Sequence, residues 1–493
     1  MQNKTLQTKR ALRTALLVLL LSAAGMGKGY AYDFSSVCST GQTLYYNIID
    51  ATNCYVEVVA PSYSLGSPSW VDYVEPTGNL VLPNNVVYNE TTYSVTSIGL
   101  CAFQYCEGIT SVNIPNSVTA IGDWAFSQCL GLNDSLVLPN SIVSIGNYAF
   151  NECSGLVGSL EIPNSVISIG EGAFLGCYGF TGSLILSNSL TSINNNTFSF
   201  CTGFSGSLII PDSVITIGEW AFGECQSFNN LVLPNSVTSI GDFAFRSWYE
   251  LTNIIIPNSL TTIGDRVFEN CFGLETVVAL CTIPPILGYL PFYCSNLIVC
   301  CGSKDAYMAS DWASYFDIIE EDCTPHEVTI DEGGMTGGSV STTVNSTTMG
   351  EEVQLTITPD EGMYLASLMV CNVNNPEQTV SVYPIGKTSS LYGFIMPPFD
   401  VVVTAVFAPI NAVGENNSIA ANVYPNPTNG QIKIKAEGLK HITISNMQGL
   451  MIYESEANGR EFDFDFSQQG AGVYFIRIES LEGVNVKKIV VTK

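Results

Sequence analysis

Leu231-Val232-Leu233-Pro234-Asn235-Ser236-Val237-Thr238-Ser239-Ile240-Gly241-Asp242-Phe243-Ala244-Phe245 is the plainest copy of a phrase repeated between about Leu80 and Leu274. The phenylalanine that closes each copy falls at Phe103, Phe126, Phe150, Phe174, Phe198, Phe222, Phe245 and Phe268, a spacing of 23 or 24 residues throughout. A fixed period of this size specifies a solenoid of stacked coils, in which each repeat buries its apolar side against its neighbours. Such an object presents long surfaces rather than one active-site cleft.

Each position of the phrase has a physical task. The segment Leu-x-Leu, as in Leu136-Val137-Leu138 or Leu208-Ile209-Ile210, alternates with period two, so its first and third residues point into the coil. The proline that follows at Pro83, Pro115, Pro139, Pro163, Pro211, Pro234 and Pro257 lacks an N–H and stops the ladder. A second short strand carries the inward row Ile98, Ile121, Ile145, Ile169, Ile193, Ile217, Ile240 and Ile263. Glycine follows each of these, except at Asn194, and a turn with positive φ is expected there. The acid or Asn that comes next, such as Asp123, Asn147, Glu171 and Asp242, reads as the cap of a helical turn holding Ala-Phe. The competing reading of that row is a calcium ladder. Cysteine stands three residues after the phenylalanine at Cys106, Cys129, Cys153, Cys177, Cys201, Cys225 and Cys271, with Trp248 in the remaining copy. Phase-locked in an apolar slot, these thiols are expected to be buried and reduced, acting as small hydrophobes.

Two outward rows have no folding task. The residue between the inward strand positions runs Val81, Asn113, Val137, Glu161, Ile185, Ile209, Val232, Ile255, and the outward row before it runs Ser111, Ser135, Ser159, Ser183, Ser207, Asn230, Asn253. Together they make a flat ribbon of β-branched and small hydroxyl or amide side chains with few charges. β-Branched residues favour strands for reasons of fit alone, yet a contiguous exposed apolar strip also marks interaction sites. The candidate ligand-binding residues are Val137, Glu161, Ile185, Ile209, Val232 and Ile255, flanked by Ser159, Ser183 and Ser207.

The repeated Ile-Pro-Asn-Ser-Val-Thr-Ser-Ile-Gly-x-x-Ala-Phe-x-x-Cys phrase resembles the BspA-type leucine-rich repeats of bacterial surface proteins, notably those of Bacteroidetes. The copy between Leu184 and Phe204 departs most, with Ser187 for proline, Asn194 for glycine and Thr197 for alanine, and looser coil geometry is expected there. Around the repeats, residues 32–77 are aromatic and irregular and read as an N-terminal cap, with Cys38 and Cys54 able to bridge. After Leu274 the phrase decays into a last strand and a short helix whose Tyr307, Trp312 and Phe316 close the open end. One or two disulfides are expected among Cys281, Cys294, Cys300, Cys301 and Cys323. The leucine-rich repeat solenoid with this unit spans 78–323.

Residues 324–410 change to alternating segments typical of a small antiparallel β-domain, an accessory spacer, and 411–420 read as a linker. From 421 to 493, Val423-Tyr424-Pro425-Asn426-Pro427-Thr428-Asn429-Gly430, Gly472-Val473-Tyr474-Phe475-Ile476 and the terminal Lys487-Lys488-Ile489-Val490-Val491-Thr492-Lys493 resemble the C-terminal sorting domain of the type IX secretion system. The resemblance implies a β-sandwich recognised by that secretion machinery, export across the outer membrane, and surface attachment or release. The fold class expected is therefore mainly β: a solenoid, a small antiparallel β-domain and a C-terminal β-sandwich.

Composition agrees with export. The first 31 residues hold five of the 17 basic side chains, Lys4, Lys9, Arg10, Arg13 and Lys28, around the apolar run Ala15 to Ala24. With Gly29-Tyr30-Ala31 at a cleavage position, they read as a signal peptide (1–31), too short to span a bilayer. Without them 12 basic residues face 44 acidic ones, a net charge of −32 against −27 for the whole chain. Such a surface repels nucleic acid and anionic lipid. The chain has two histidines, His326 and His441, and no His-Glu-x-x-His, nucleophile-elbow or phosphate-loop pattern. No enzyme, cofactor or metal is expected, a hydrolase pairing His326 with a capping-unit cysteine being the remote alternative. The expected function is a surface or secreted adhesin binding an extracellular protein or glycan through the strand face. The rival is a structural stalk with no specific ligand.

Overall fold

The computed structural model describes residues 32–64, 67–333, 335–385, 390–409, 421–424, 431–446, 451–466, 472–480 and 483–491. The expected signal peptide, the linker 411–420 and the Pro425–Gly430 block of the sorting motif lie outside the described residues. The chain forms two compact units, one drawn from Met1–Thr329, Thr342–Leu355 and Met369–Val403, the other from Ile330–Ser341, Thr356–Leu368 and Thr404–Lys493. Among the described residues no helix is long and apolar enough to cross a membrane.

Two parallel ladders run along the solenoid. In the first, Gly78–Val81 pairs with Ile109–Asn113, Gly158–Glu161 with Phe180–Ile185, and Ser205–Ile209 with Ser227–Val232. Asn253–Ile256, Thr276–Ala279, Asn296–Cys300 and Ile318–Asp322 complete it as a four-stranded sheet. Leu136-Val137-Leu138 keeps the in–out alternation, two leucines buried around an exposed valine, although it forms no regular strand. The second ladder consists of two-residue strands that set Ile121 beside Ile145, Ile145 beside Ile169, and Ile193 beside Ile217 and so on to Ile263. It is interrupted between Ile169 and Ile193, where the phrase departs most. There the Asn194 side-chain amide donates to the Ile169 carbonyl (2.6 Å), the kind of acceptor that elsewhere takes a glycine N–H, as in Gly170 N to Ile145 O (2.9 Å). Ser187, in place of proline, donates to Val166 O (2.7 Å).

The core is a column of side chains repeated coil by coil. Phe103 to Phe268 stack with a ninth ring, Phe292, at centroid spacings of 5.1 to 5.7 Å. Trp70 closes the column at Phe103, and Trp312 and Phe316 close it at Phe292. Each of these rings is buried, and burying one aromatic side chain is worth about 2–3 kcal/mol. At the N-terminal end, Phe34–Val37, Thr43–Asp50 and Tyr55–Val59 form an antiparallel run. Its last strand pairs parallel with Thr91–Ile98, which carries the sheet into the second ladder. At the other end Lys304–Met308 is helical, the Trp312 indole donates to Pro285 O (2.8 Å), and one disulfide joins Cys301 to Cys323. Cys38 and Cys54 are free thiols and do not bridge.

Three tasks read from the phrase change in the structure. The glycine after the inward isoleucine does not take a positive φ; it admits the backbone of the preceding coil. A Cβ at Gly146 would lie 2.5 Å from Asp123 N, and one at Gly241 2.6 Å from Glu219 N. The positive φ falls two residues later, on side chains that ordinarily avoid it: Trp124 (58°), Tyr148 (54°), Trp220 (55°) and Phe243 (57°). That geometry turns their N–H groups along the solenoid axis, so Trp124 N bonds Asn147 O (2.8 Å) and Tyr148 N bonds Glu171 O (2.8 Å). Nor does the acid or Asn cap a helical turn. Asp123 accepts from Asn147 N (2.7 Å), Asn147 from Glu171 N (2.8 Å) and Asp242 from Asp265 N (2.8 Å), each bond reaching the next coil.

The cysteines are buried and reduced, but they also donate. Cys129, Cys153, Cys177, Cys201 and Cys225 direct Sγ at the Phe carbonyl of the coil before, at 3.0–3.1 Å. Trp248 satisfies the same requirement with its indole N–H on Phe222 O (2.9 Å). Beyond the solenoid, Pro325–Ile330 pairs antiparallel with Ser346–Thr348, Met363–Asn372 with Asn375–Val380, and Tyr383–Pro384 with Leu391–Ile395. In the C-terminal sheet the long strand Gln431–Asn446 pairs first with Ala421–Tyr424 and then, past bulges, with Gly472–Ser480. Ile432 and Ile434 from one half and Ile442 and Ile444 from the other share one apolar cluster with Ile476, Ile478 and Ile489.

Two measurements check this account. Gly146→Ala should lower stability by about 2 kcal/mol or more, because the backbone it meets cannot retreat without parting two coils. Gly158→Ala, with nothing within 4 Å of its Cβ but a φ of +78°, should cost only about 1 kcal/mol, and urea midpoints would rank the two. Burial raises the ladder thiols, Cys153 and Cys271 to about 12. They stay protonated in the fold while the unfolded chain ionises near its ordinary thiol value. Stability contributed by each is complete below about pH 8.5 and should fall by about 1.4 kcal/mol per pH unit between there and about pH 12. Urea melts at pH 8 and pH 10 read this slope directly.

Candidate interaction surface

The first ladder builds a flat face because its strands are in register and only a coil spacing apart. Leu160 pairs with Leu184 and Glu161 with Ile185, as Leu208 does with Leu231 and Ile209 with Val232. Inward leucines thereby lock the outward rows into line. Val137 (70% exposed), Ile185 (52%) and Ile209 (51%) stand out from this face, and Glu161 is exposed among them. Beside them Ser159 and Ser183 are exposed and Ser207 is half-buried. The hydroxyl row is bonded along the solenoid axis: Ser183 N donates to Ser159 Oγ (3.0 Å), and Asn230 Nδ2 to Ser207 Oγ (3.1 Å).

Val232 and Ile255 have a different setting. Both are half-buried, and they line a cleft against Gln378, Thr379 and Val380. Further along, Val278 of the same outward row and Leu280, two residues beyond it in the chain, are 5% exposed, clustered with Cys300, Met349 and Ile395. Part of the segment read as a spacer therefore lies on the strand face. Fit there is tight: a Cβ on Gly350 (φ +88°) would collide with Cys300 Sγ, and Gly350 N is held by Met396 O (2.9 Å). The outward row is thus divided, free from Val137 to Ile209 and covered from Val232 onward. No periodicity within the repeats signals this, since the covering residues lie about 100 positions away in the chain.

The other chemical candidates resolve into structure. The Asp and Asn row is engaged with backbone N–H groups of neighbouring coils. Among the described residues no three His, Cys, Asp or Glu side chains gather as a metal site. His326 sits between two carboxylates, Nε2 at 2.9 Å from Asp322 Oδ2 and Nδ1 at 3.8 Å from Asp400 Oδ1, an ion-pair geometry rather than a Cys–His dyad. Burial pushes Cys294 and Cys300 up to about 11, the opposite of an activated nucleophile.

Comparison with known proteins places two regions. Residues 84–201 and 180–298 match the BspA type leucine rich repeat region, in six copies, and residues 422–492 match the secretion system C-terminal sorting domain. Among solved structures, the chain is similar to a leucine-rich repeat protein from Bacteroides ovatus, at 27% identity over 59% of this chain and 76% of that one, with a TM-score of 0.41. It is also similar to a leucine-rich cell surface protein from Faecalibacterium prausnitzii (18% identity, 58% and 99% covered, TM-score 0.24) and to a leucine-rich repeat protein of T. pallidum (19%, 37% and 86%, 0.29). No curated protein matches the chain. Residues 84–298 are thus a BspA-type leucine-rich repeat region and residues 422–492 a sorting domain of the type IX secretion system, and the chain is an exported leucine-rich repeat protein of the cell surface or the secreted fraction.

Proposed function

We propose that this protein is a non-catalytic adhesin whose free strand face, from Val137 to Ile209, binds an extracellular protein or glycan. The observation that carries the reading is the division of the outward row. Where the row is covered, Val278 and Leu280 pack against Met349 and Ile395 of the same chain, so this face does accept an apolar partner. Where it is free, Ile209 remains half exposed in register with the covered Val232, and Ile185 remains half exposed in register with Glu161. Isolated exposed aliphatic side chains need no explanation, but an aligned row of them beside a row of hydroxyls has the composition of a recognition surface. Glu161 and the serines Ser159, Ser183 and Ser207 supply hydrogen-bonding groups at its margin. Secretion delivers the surface to the medium in which such partners occur.

Because Val232 and Ile255 lie against the chain's own covering segment, the test uses the free residues. Val137→Glu, Ile185→Glu and Ile209→Glu combined should reduce retention on immobilised matrix proteins or mucin glycans by at least about tenfold, as expected when charge enters an apolar contact. The thermal melt should stay within about 0.5 kcal/mol of the parent, since all three side chains face solvent. Equal retention by parent and variant would move the binding site elsewhere. If the parent itself retained nothing on any matrix, a structural stalk would be the better description.

A further inference from the structure

Away from the strand face, a cleft of about 570 Å³ opens between the coil corners and the covering segment. Its solenoid wall repeats one position of the phrase three times, the residue after proline, as Asp212, Asn235 and Asn258. In the eight copies this position is Asn84, Asn116, Asn140, Asn164, Asn188, Asp212, Asn235 and Asn258, so the one carboxylate falls in the wall of this cleft. The opposite wall brings Glu352, Ser381 and Tyr383, and Ile395 adds an apolar surface.

The hydrogen bonds in these walls use up the hydroxyl protons, leaving the Asn235 and Asn258 amides as side-chain donors beside a larger set of acceptors. Tyr383 donates its hydroxyl to Glu352 (2.8 Å), and Ser381 donates to Asp212. Ser236 and Ser259 donate to the Val214 and Val237 carbonyls, both at 2.7 Å. Each hydroxyl proton is engaged, while the lone pairs of those hydroxyls and the second oxygen of Asp212 can still accept; Glu352 Oε2 already takes the Gln354 side-chain amide (3.3 Å). Asn235 Oδ1 is buried with no partner. Among the described residues no lysine, arginine or histidine lines the cleft, so no described cation faces its two carboxylates. A ligand that pairs with both carboxylates donates hydrogen bonds and carries positive charge. The space also excludes a bare metal ion as the natural occupant, because one water fills only about 30 Å³ whereas small organic ligands occupy about 300–1,000 Å³.

We propose that this cleft binds an organic cation, an ammonium or guanidinium group on a short aliphatic stem, with the charged head between Asp212 and Glu352 and the stem along Ile395. The chemistry is shared by free amines and by lysine or arginine side chains of a partner protein. The site is independent of the strand face, since neither Ile185 nor Ile209 lines it.

Isothermal titration of the full chain with agmatine and with the tripeptide Gly-Arg-Gly tests the assignment. Saturable binding of at least one is expected, weakening with added salt. Agmatine alone would identify a free amine as the ligand, and the tripeptide alone a protein side chain. Asp212→Asn restores the residue that the other seven copies carry, so it folds as the repeat does. It should weaken binding by about tenfold or more, as should Glu352→Gln, while Ile185→Glu should leave it unchanged. The proposal is overturned if neither cation saturates, if Asp212→Asn binds as the parent does, or if calcium chloride or N-acetylglucosamine saturates the site where both cations fail.

Discussion

The distance between successive coils is the constraint on which the rest of this structure depends. Stacked phenylalanine rings hold that distance at 5.1 to 5.7 Å, close to the spacing at which neighbouring strands exchange backbone hydrogen bonds. Two requirements must then be met at the same height in every coil: ring against ring in the core, and N–H against carbonyl at the corners. Glycine after the inward isoleucine permits the second without spoiling the first, since any side chain there would meet the coil before it. The left-handed residues two positions later aim their N–H groups up the stack. The strain of placing Trp124 or Phe243 in that region is tolerated because each such residue closes a bond between coils.

The cysteine row follows from the same spacing. The Phe carbonyls of the column lie inside the core and accept the N–H three residues on, as Phe126 O does from Cys129 N (3.1 Å), which leaves a second lone pair for a donor from the next coil. A thiol three residues after the next phenylalanine is small enough to fit and supplies a weak donor. Trp248 shows that donation, not sulfur, is what the position demands: a far larger side chain serves there because its indole N–H reaches the same carbonyl. The neighbouring Phe228 ring stacks on Trp248 at 4.9 Å, which shows how the core accommodates the larger group. Thiols so placed are held protonated by burial, so their number says nothing of redox chemistry. The disulfide occurs outside the row, at Cys301 and Cys323, where the repeat has ended.

The division of the strand face links architecture to function. One chain uses a single outward row in two ways, covering its C-terminal part with Met349 and Ile395 and leaving Val137, Ile185 and Ile209 in solvent. The covering also creates a second kind of surface. Where the covering segment meets coil corners instead of strands, the contact is polar, and acceptor groups converge with no cation among the described lining residues. An apolar face and an acceptor-lined cleft in the same unit differ in the partners they favour and in their response to salt, which would affect the cleft far more.

Much of this was legible in the chain itself. The period, the inward Leu, Ile and Phe positions, the buried thiols, the closing aromatics and the sorting motifs all follow from local pattern, because each repeat meets nearly the same neighbours above and below. For that reason the coil and its outward rows could be read before any coordinates. What the pattern could not reveal were contacts whose other half lies elsewhere. The task of glycine, the target of the Asp and Asn side chains and the thiol's acceptor all belong to an adjacent coil, about two dozen residues away in sequence. The covering of Val232 to Leu280, and the cleft beside Asp212, required residues beyond Gly350 to return to the solenoid. Periodicity reports what recurs within a coil; docking of a non-repeating segment happens once, leaves no period, and is decided only when the tertiary structure forms.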